Sequence, residues 1–191
     1  MVDLSRDVDD LLTPNCIALK DIDSSYTFLT SDYNFKVLSF NIRSIHQYFN
    51  EFLVILHRSK VKLDLIVLTE CWLSENIIIP QIPGYNSYQT QKYINKSGGV
   101  VVYVRDSWNA VVQESSCLDS NCLEIHFDQN LLVLAIYRSP SFSNIDNFLS
   151  SLDTILMQAK KKKKILSLHE ILISTFALCL LKTKVLIIFP Y

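Results

Sequence analysis

Glycine is scarce in this chain, with three in 191 residues, and two of those are adjacent, at Gly98 and Gly99. A glycine-rich phosphate loop between a strand and a helix is therefore excluded, because it needs several glycines to bring backbone amides around a phosphate. The five cysteines are odd in number and no pair has CxxC spacing. This excludes a disulfide framework and a zinc knuckle, and it predicts reduced thiols in a cytosolic or nuclear protein. The formal net charge of −1 removes any global field toward nucleic acid, though a local basic face stays open. The first twelve residues, MVDLSRDVDDLL, are acidic and lack the apolar run of a secretory signal. A transmembrane helix needs about 20 apolar residues. The uncharged run from Ile171 to Leu181 is bounded by Glu170 and by Lys182 and Lys184, so no stable membrane span is expected.

Apolar residues are plentiful. At 49% hydrophobic, with nine Tyr and ten Phe, the chain has material for one packed core. Residues 1–33 show no sustained period and read as a loosely ordered lead-in with room for a short helix. KVLSFNI from Lys36 reads as a buried strand. Apolar groups at Ile45, Tyr48, Phe49, Phe52, Leu53, Ile55 and Leu56 predict a helix from Ser44 to Lys60, with basic residues in its last turn. DLIVLTE from Asp64 is a second apolar strand. IPGY at Ile82 is a turn, and Ser97 opens a turn followed by the strand VVVYVRD. CLEIHF (122–127) and LLVLAIY (131–137) are strands joined by the tight-turn sequence DQN. An amphipathic helix follows, capped by Ser143 or Asn144. This order predicts an α/β sandwich of two mixed sheets with helices outside.

Three apolar strands end on polar groups: Asn41, Glu70 and Tyr137. If these strands are neighbours, the three groups converge at one rim, a usual place for a site on a rigid scaffold. A lone carboxylate there suits a hard cation such as Mg²⁺, which takes oxygen ligands and keeps several waters. The bland readings are a solvated edge Glu, a core Tyr with a wet hydroxyl and an Asn in a turn. Of the histidines, His46 and His57 lie on the first helix without a carboxylate in ligand spacing, and His126 alternates within a strand. Asp64 and Glu124 read as salt-bridge residues.

Five motifs in order carry a family resemblance. SFNIRS (39–44), LTECWL (68–73), IPGYNSY (82–88), SGGVVVYVRDS (97–107) and LAIYRSPS (134–141) resemble the endonuclease domain of non-LTR retrotransposons. That domain belongs to the endonuclease/exonuclease/phosphatase superfamily, with the apurinic/apyrimidinic endonucleases. The resemblance spans about Phe35 to Lys160. It implies a four-layered α/β sandwich and a Mg²⁺-dependent nuclease that nicks DNA to prime an attached reverse transcriptase. By motif position it gives Asn41, Glu70 and Tyr137 as catalytic residues, with Glu70 the metal ligand and Arg43 and Arg138 facing DNA.

The family also carries a Gly-Asp-Phe-Asn strand end, whose Asp orients the attacking water, and a later Ser-Asp-His. Neither is present in the region where each is expected: no Asp follows Asp153, and the only later histidine is His169. The junction QAKKKKKILSLHEILIST (158–175) offers a reason. A lysine run implies A-rich coding DNA, where the reading frame slips. Shifted by one base, codons compatible with Ile165 to Ser174 can encode an apolar strand, one unmatched residue and then Asp-Phe-Asn-Ile. The expectation is a poorly ordered lead-in (1–33), a partial endonuclease-like domain (34–164), incomplete at its C-terminal end, and an aberrant apolar tail (165–191), of which Ile165 to Ser174 is apolar enough to be inserted as a strand. Little or no nuclease activity is expected. The competing readings are a phosphodiesterase of the same superfamily acting on a phospholipid or inositol phosphate, a non-catalytic DNA-binding remnant, and a lysine-plus-apolar tail lying on an anionic membrane.

Overall fold

The computed structural model describes residues 16–19, 35–59, 61–75, 77–92, 94–128, 131–161, 176–180 and 185–190. Ten strands and two helices occur in the order β1 (Cys16–Leu19), β2 (Phe35–Asn41), α1 (Ile45–Ser59), β3 (Leu65–Thr69), β4 (Tyr85–Gln89), β5 (Val100–Arg105), β6 (Ala110–Glu114), β7 (Asn121–Phe127), β8 (Leu131–Tyr137), α2 (Asp146–Lys161), β9 (Phe176–Leu180) and β10 (Val185–Pro190). They form a six-stranded sheet, β1-β10-β2-β3-β5-β4, and a four-stranded sheet, β6-β7-β8-β9.

The fold is an α/β sandwich, and three apolar layers define it. Between the sheets lie Val37, Leu65, Val67, Val100, Val102 and Val104 from one side and Leu123, Ile125, Val133, Ala135 and Tyr137 from the other. On the outer face of the larger sheet, Ile66, Leu68, Val101 and Tyr103 pack against Ile45, Phe49 and Phe52 of α1. On the outer face of the smaller sheet, Leu132, Leu134 and Ile136 pack against Phe148, Leu152, Ile155 and Ala159 of α2. The layers therefore run helix, sheet, sheet, helix. Strands covered on both faces read as unbroken apolar runs, which is why every residue of β3 and β8 is buried. Each fully buried Leu, Ile or Val side chain contributes roughly 1.5–3 kcal/mol.

The sheets differ from one another more than expected. The larger sheet is mixed: β1, β10, β2 and β3 are parallel neighbours, and β5 turns antiparallel to β3. Parallel pairing of β2 with β3 requires a crossover, and α1 supplies it. The smaller sheet, expected to be mixed, is antiparallel at every pairing. Its first three strands follow one another through short connections, which favour antiparallel neighbours.

Both ends of the chain enter the sheets. Cys16–Leu19 of the expected lead-in is an edge strand beside β10. From the apolar tail, Phe176–Leu180 pairs with β8 and Val185–Pro190 inserts between β1 and β2. Residues 162–175, where the frame slip and the Ile165 to Ser174 strand are expected, lie outside the described residues.

The helices begin as their caps require. Ser44 Oγ accepts from the Gln47 amide at 3.4 Å, and Asn144 Oδ1 accepts from the Asp146 amide at 2.9 Å. His57 and Arg58 occupy the last turn of α1, where cations suit the helix dipole.

Asp64, at the start of β3, ties down the rim opposite the polar strand ends. Its carboxylate accepts from the Lys36 amide at 2.7 Å and Trp108 Nε1 at 2.8 Å, and it pairs with Arg105 at 3.1 Å. Trp108 in turn meets Phe35 and Phe127 edge-on, with centroids 5.0 and 5.7 Å away. Glu124 pairs with His126 at 3.1 Å on β7. Removing the Asp64 carboxylate strands a largely buried guanidinium and two N–H donors. Asp64→Ala is expected to lower the unfolding free energy by about 3 kcal/mol, read as a fall in the urea midpoint. A loss below about 1 kcal/mol would show that this rim does not depend on the carboxylate.

Candidate functional site

The site is built from the carboxyl ends of two parallel strands. β2 and β3 run side by side with Asn41 opposite Thr69, so Asn41 and Glu70 leave the sheet together. The chain beyond them does not fray. Ile42 donates to the Thr69 carbonyl at 3.0 Å, Ser44 to the Glu70 carbonyl at 2.9 Å, and Ile45 to the Cys71 carbonyl at 3.1 Å. On the other side, the Cys71 amide donates to Gly99 at 3.2 Å and the Trp72 amide to Gly98 at 2.9 Å. The segment Glu70–Trp72 thus bridges the start of α1 and the start of β5.

This bridging strains the backbone. Arg43, Ser44, Glu70 and Trp72 hold φ of +50°, +112°, +52° and +51°, in a region that L side chains avoid. Each such residue costs on the order of 1 kcal/mol and persists because its surroundings over-determine it. The glycine pair has a steric reason. A Cβ on Gly99, at φ +101°, would stand 2.6 Å from Leu73 Cγ, and one on Gly98 would stand 2.8 Å from Asn121 Oδ1. Close backbone approach at this rim requires both glycines.

The second sheet joins through Asn121 and Tyr137, which lie opposite each other on β7 and β8. Asn121 is buried; its Oδ1 accepts from the Gly99 amide at 3.1 Å and its Nδ2 donates to the Lys92 carbonyl at 3.0 Å. Tyr137 is buried, and its phenol lies near enough to Glu70, Ser97 and Ser139 to be influenced by all three. Burial pushes the phenol's pKa up, and the Glu70 carboxylate pushes it further, so Tyr137 is a neutral donor at physiological pH.

Asn41, Glu70 and Tyr137 therefore share one rim, as the strand ends predict. Arg43 is exposed beside them, and its amide donates to Asn41 Oδ1 at 3.2 Å. Arg138 departs from expectation. Its guanidinium donates to the carbonyls of Phe142 at 2.6 Å and Asn144 at 3.0 Å, and it sits 5.8 Å over the Phe148 ring. These contacts tie Arg138 to its own loop and to α2. Asn121 has no place in the sequence-level set. Its signal is faint: a lone Asn opening the strand CLEIHF, opposite the last residue of LLVLAIY.

The donors suit a hard cation in kind: the Glu70 carboxylate, with the Asn41 carboxamide oxygen, whose second lone pair is available beyond the Arg43 contact. Among the described residues, no group of three or more His, Cys, Asp or Glu gathers. The set thus fits only an ion that keeps most of its waters, as Mg²⁺ does. Cys71, Cys117 and Cys122 are buried free thiols, and burial raises their pKa values, which makes them poor nucleophiles. Two cavities, of about 420 and 470 Å³, are lined around Gln89 and Lys92 and around Asp64 and Arg105; neither includes Asn41, Glu70 or Tyr137.

Neither the models of known protein families nor the curated proteins match this chain. Among the described residues, no helix is long and apolar enough to cross a membrane.

The buried acids set a pH dependence. Burial raises the Cys71, Cys117 and Cys122 thiols above 9.0 and the Tyr85, Tyr103 and Tyr137 phenols above 10.0. A raised folded pKa means the unfolded chain releases these protons first as pH rises, so this contribution is complete below about pH 9 and is lost above it. The melting temperature is expected to fall steadily above about pH 9 in a thermal scan series. A melting temperature that rises through that window would contradict this burial.

Proposed function

We propose that this chain is a phosphodiester-binding relative of the Mg²⁺-dependent DNA-nicking endonucleases, catalytically incomplete as it stands. The observation that carries the reading is the shared rim, where Asn41 and Glu70 leave β2 and β3 on a strained backbone and Tyr137 ends β8 of the sheet packed against them. The five sequence motifs supply four of the residues at this rim: Asn41, Arg43, Glu70 and Tyr137.

Each group has a role that its surroundings support. Tyr137, held neutral, donates a hydrogen bond to a non-bridging phosphate oxygen. The Asn41 amide group donates a second. Glu70 would hold Mg²⁺, which when bound offsets the charge developing on the phosphate and the leaving oxygen. Exposed Arg43 contributes phosphate affinity without sequence preference.

Hydrolysis needs more. A water must be aligned opposite the leaving oxygen by a base, and no Asp follows Asp153 to serve where the family has one. Among the described histidines, His46 and His57 lie on α1 and His126 pairs with Glu124, so none stands at the phosphate site. The reading is a site that binds but does not turn over.

Incubation of the full chain with supercoiled plasmid and Mg²⁺ is expected to leave nicking at background. DNA affinity is expected to fall steeply with salt and to weaken several-fold in Arg43→Ala. Robust nicking abolished by Glu70→Ala would overturn the incomplete-site reading. Absence of salt-dependent DNA binding would overturn the phosphodiester reading itself.

A further inference from the structure

Trp72 lies two residues beyond Glu70. Its side chain is 45% exposed, while its neighbours Cys71 and Leu73 are 0% and 6% exposed. Among the residues whose burial is described, every other Trp, Tyr and Phe is at least half-buried. An isolated exposed apolar side chain is ordinary, but this one is held in place. The Cys71 thiol donates to the Leu68 carbonyl at 3.3 Å, the Leu73 side chain fills the space over Gly99, and the Trp72 amide donates to Gly98 at 2.9 Å. Its φ of +51° is strained for a β-carbon-bearing residue. The chain thus holds the backbone of a part-exposed Trp in place two residues beyond Glu70, at a cost in backbone energy and exposed apolar area.

We infer that Trp72 is a stacking platform for one unpaired nucleobase of the DNA strand whose phosphate lies at Glu70 and Tyr137. This deepens the proposed function and rests on it. A phosphate held at the rim places its own and the adjacent base within a few ångströms, and every base presents a π-face to an aromatic ring. A base inside a duplex is already stacked on both sides, so the platform favours single-stranded or locally opened DNA. Anchoring by Cys71 and Leu73 means that the backbone carrying the ring needs no ordering on binding, and a smaller ordering cost leaves more affinity.

The chain holds two tryptophans, which makes the test direct. Trp108 is enclosed by Phe35 and Phe127 and bonded to Asp64, and so serves as an internal reference. The full chain is titrated with an oligothymidylate and, separately, with a blunt duplex at fixed salt. Intrinsic fluorescence is followed alongside the anisotropy of a labelled strand. The oligothymidylate is expected to quench wild-type fluorescence and to leave Trp72→Phe, whose emission is Trp108 alone, unchanged. Trp72→Leu is expected to bind the oligothymidylate about tenfold more weakly, Trp72→Phe within about threefold of wild type, and duplex affinity is expected to change little. Thermal melts of both variants check the fold, and an exposed site should tolerate both changes. DNA binding by anisotropy without quenching, or undiminished in Trp72→Leu, overturns the stacking inference and leaves the phosphodiester site standing. Loss of all DNA binding in the wild type overturns both.

Discussion

The backbone of Glu70, Cys71 and Trp72 hydrogen-bonds in two directions, to the start of α1 and to Gly98–Gly99, and the polar rim depends on it. Without that bridge, the carboxyl ends of β2 and β3 would open into independent loops. With it, a carboxylate, a carboxamide and an exposed guanidinium are held on one edge of a sheet. The cost is left-handed backbone at four residues with side chains, an arrangement that only tight surroundings sustain. The glycine pair makes those surroundings possible, and Asn121 locks the pair to the second sheet through the Gly99 amide. Three of the sparse resources of this sequence, its two adjacent glycines and a buried Asn, are spent at one place.

The sandwich explains why the rim has two sides. Packing Val67 and Val102 against Val133 and Ala135 brings the end of β8 over the end of β3. Tyr137 then comes near Glu70, a residue far earlier in the chain. Arg138, one residue later, turns away to clamp the loop before α2, so adjacent residues of one motif divide between site and scaffold. The opposite rim follows a different logic. There Asp64 gathers an amide, an indole and a guanidinium into a neutralised cluster suited to holding strand ends rather than to binding.

Much of this was legible in the residues. Strands buried on both faces announce themselves as unbroken apolar runs, and β3, β5 and β8 do, while β2 and β7 show as β-rich stretches with interspersed polar residues. α1 and α2 follow from apolar spacing and from Ser44 and Asn144. The edge strands did not show. YNSYQ and AVVQE, the strands β4 and β6, are short and have no fully buried residue, and their pairing is set by neighbours rather than by pattern. The strands at Cys16, Phe176 and Val185 are pairings between distant parts of the chain, which no local period reveals. At the site, strand ends pointed to Asn41, Glu70 and Tyr137, while Asn121 and the tethering of Arg138 depend on register and on a loop conformation, both non-local.

The account turns on one contact, that of Tyr137 with Glu70 between sheets. A double-mutant cycle on folding stability, using Glu70→Gln, Tyr137→Phe and the pair, measures it directly. Contacting groups show a coupling of roughly 0.5–3 kcal/mol, and that is the expected result. Effects that add with no coupling would mean the two side chains do not meet, and the shared rim would be gone.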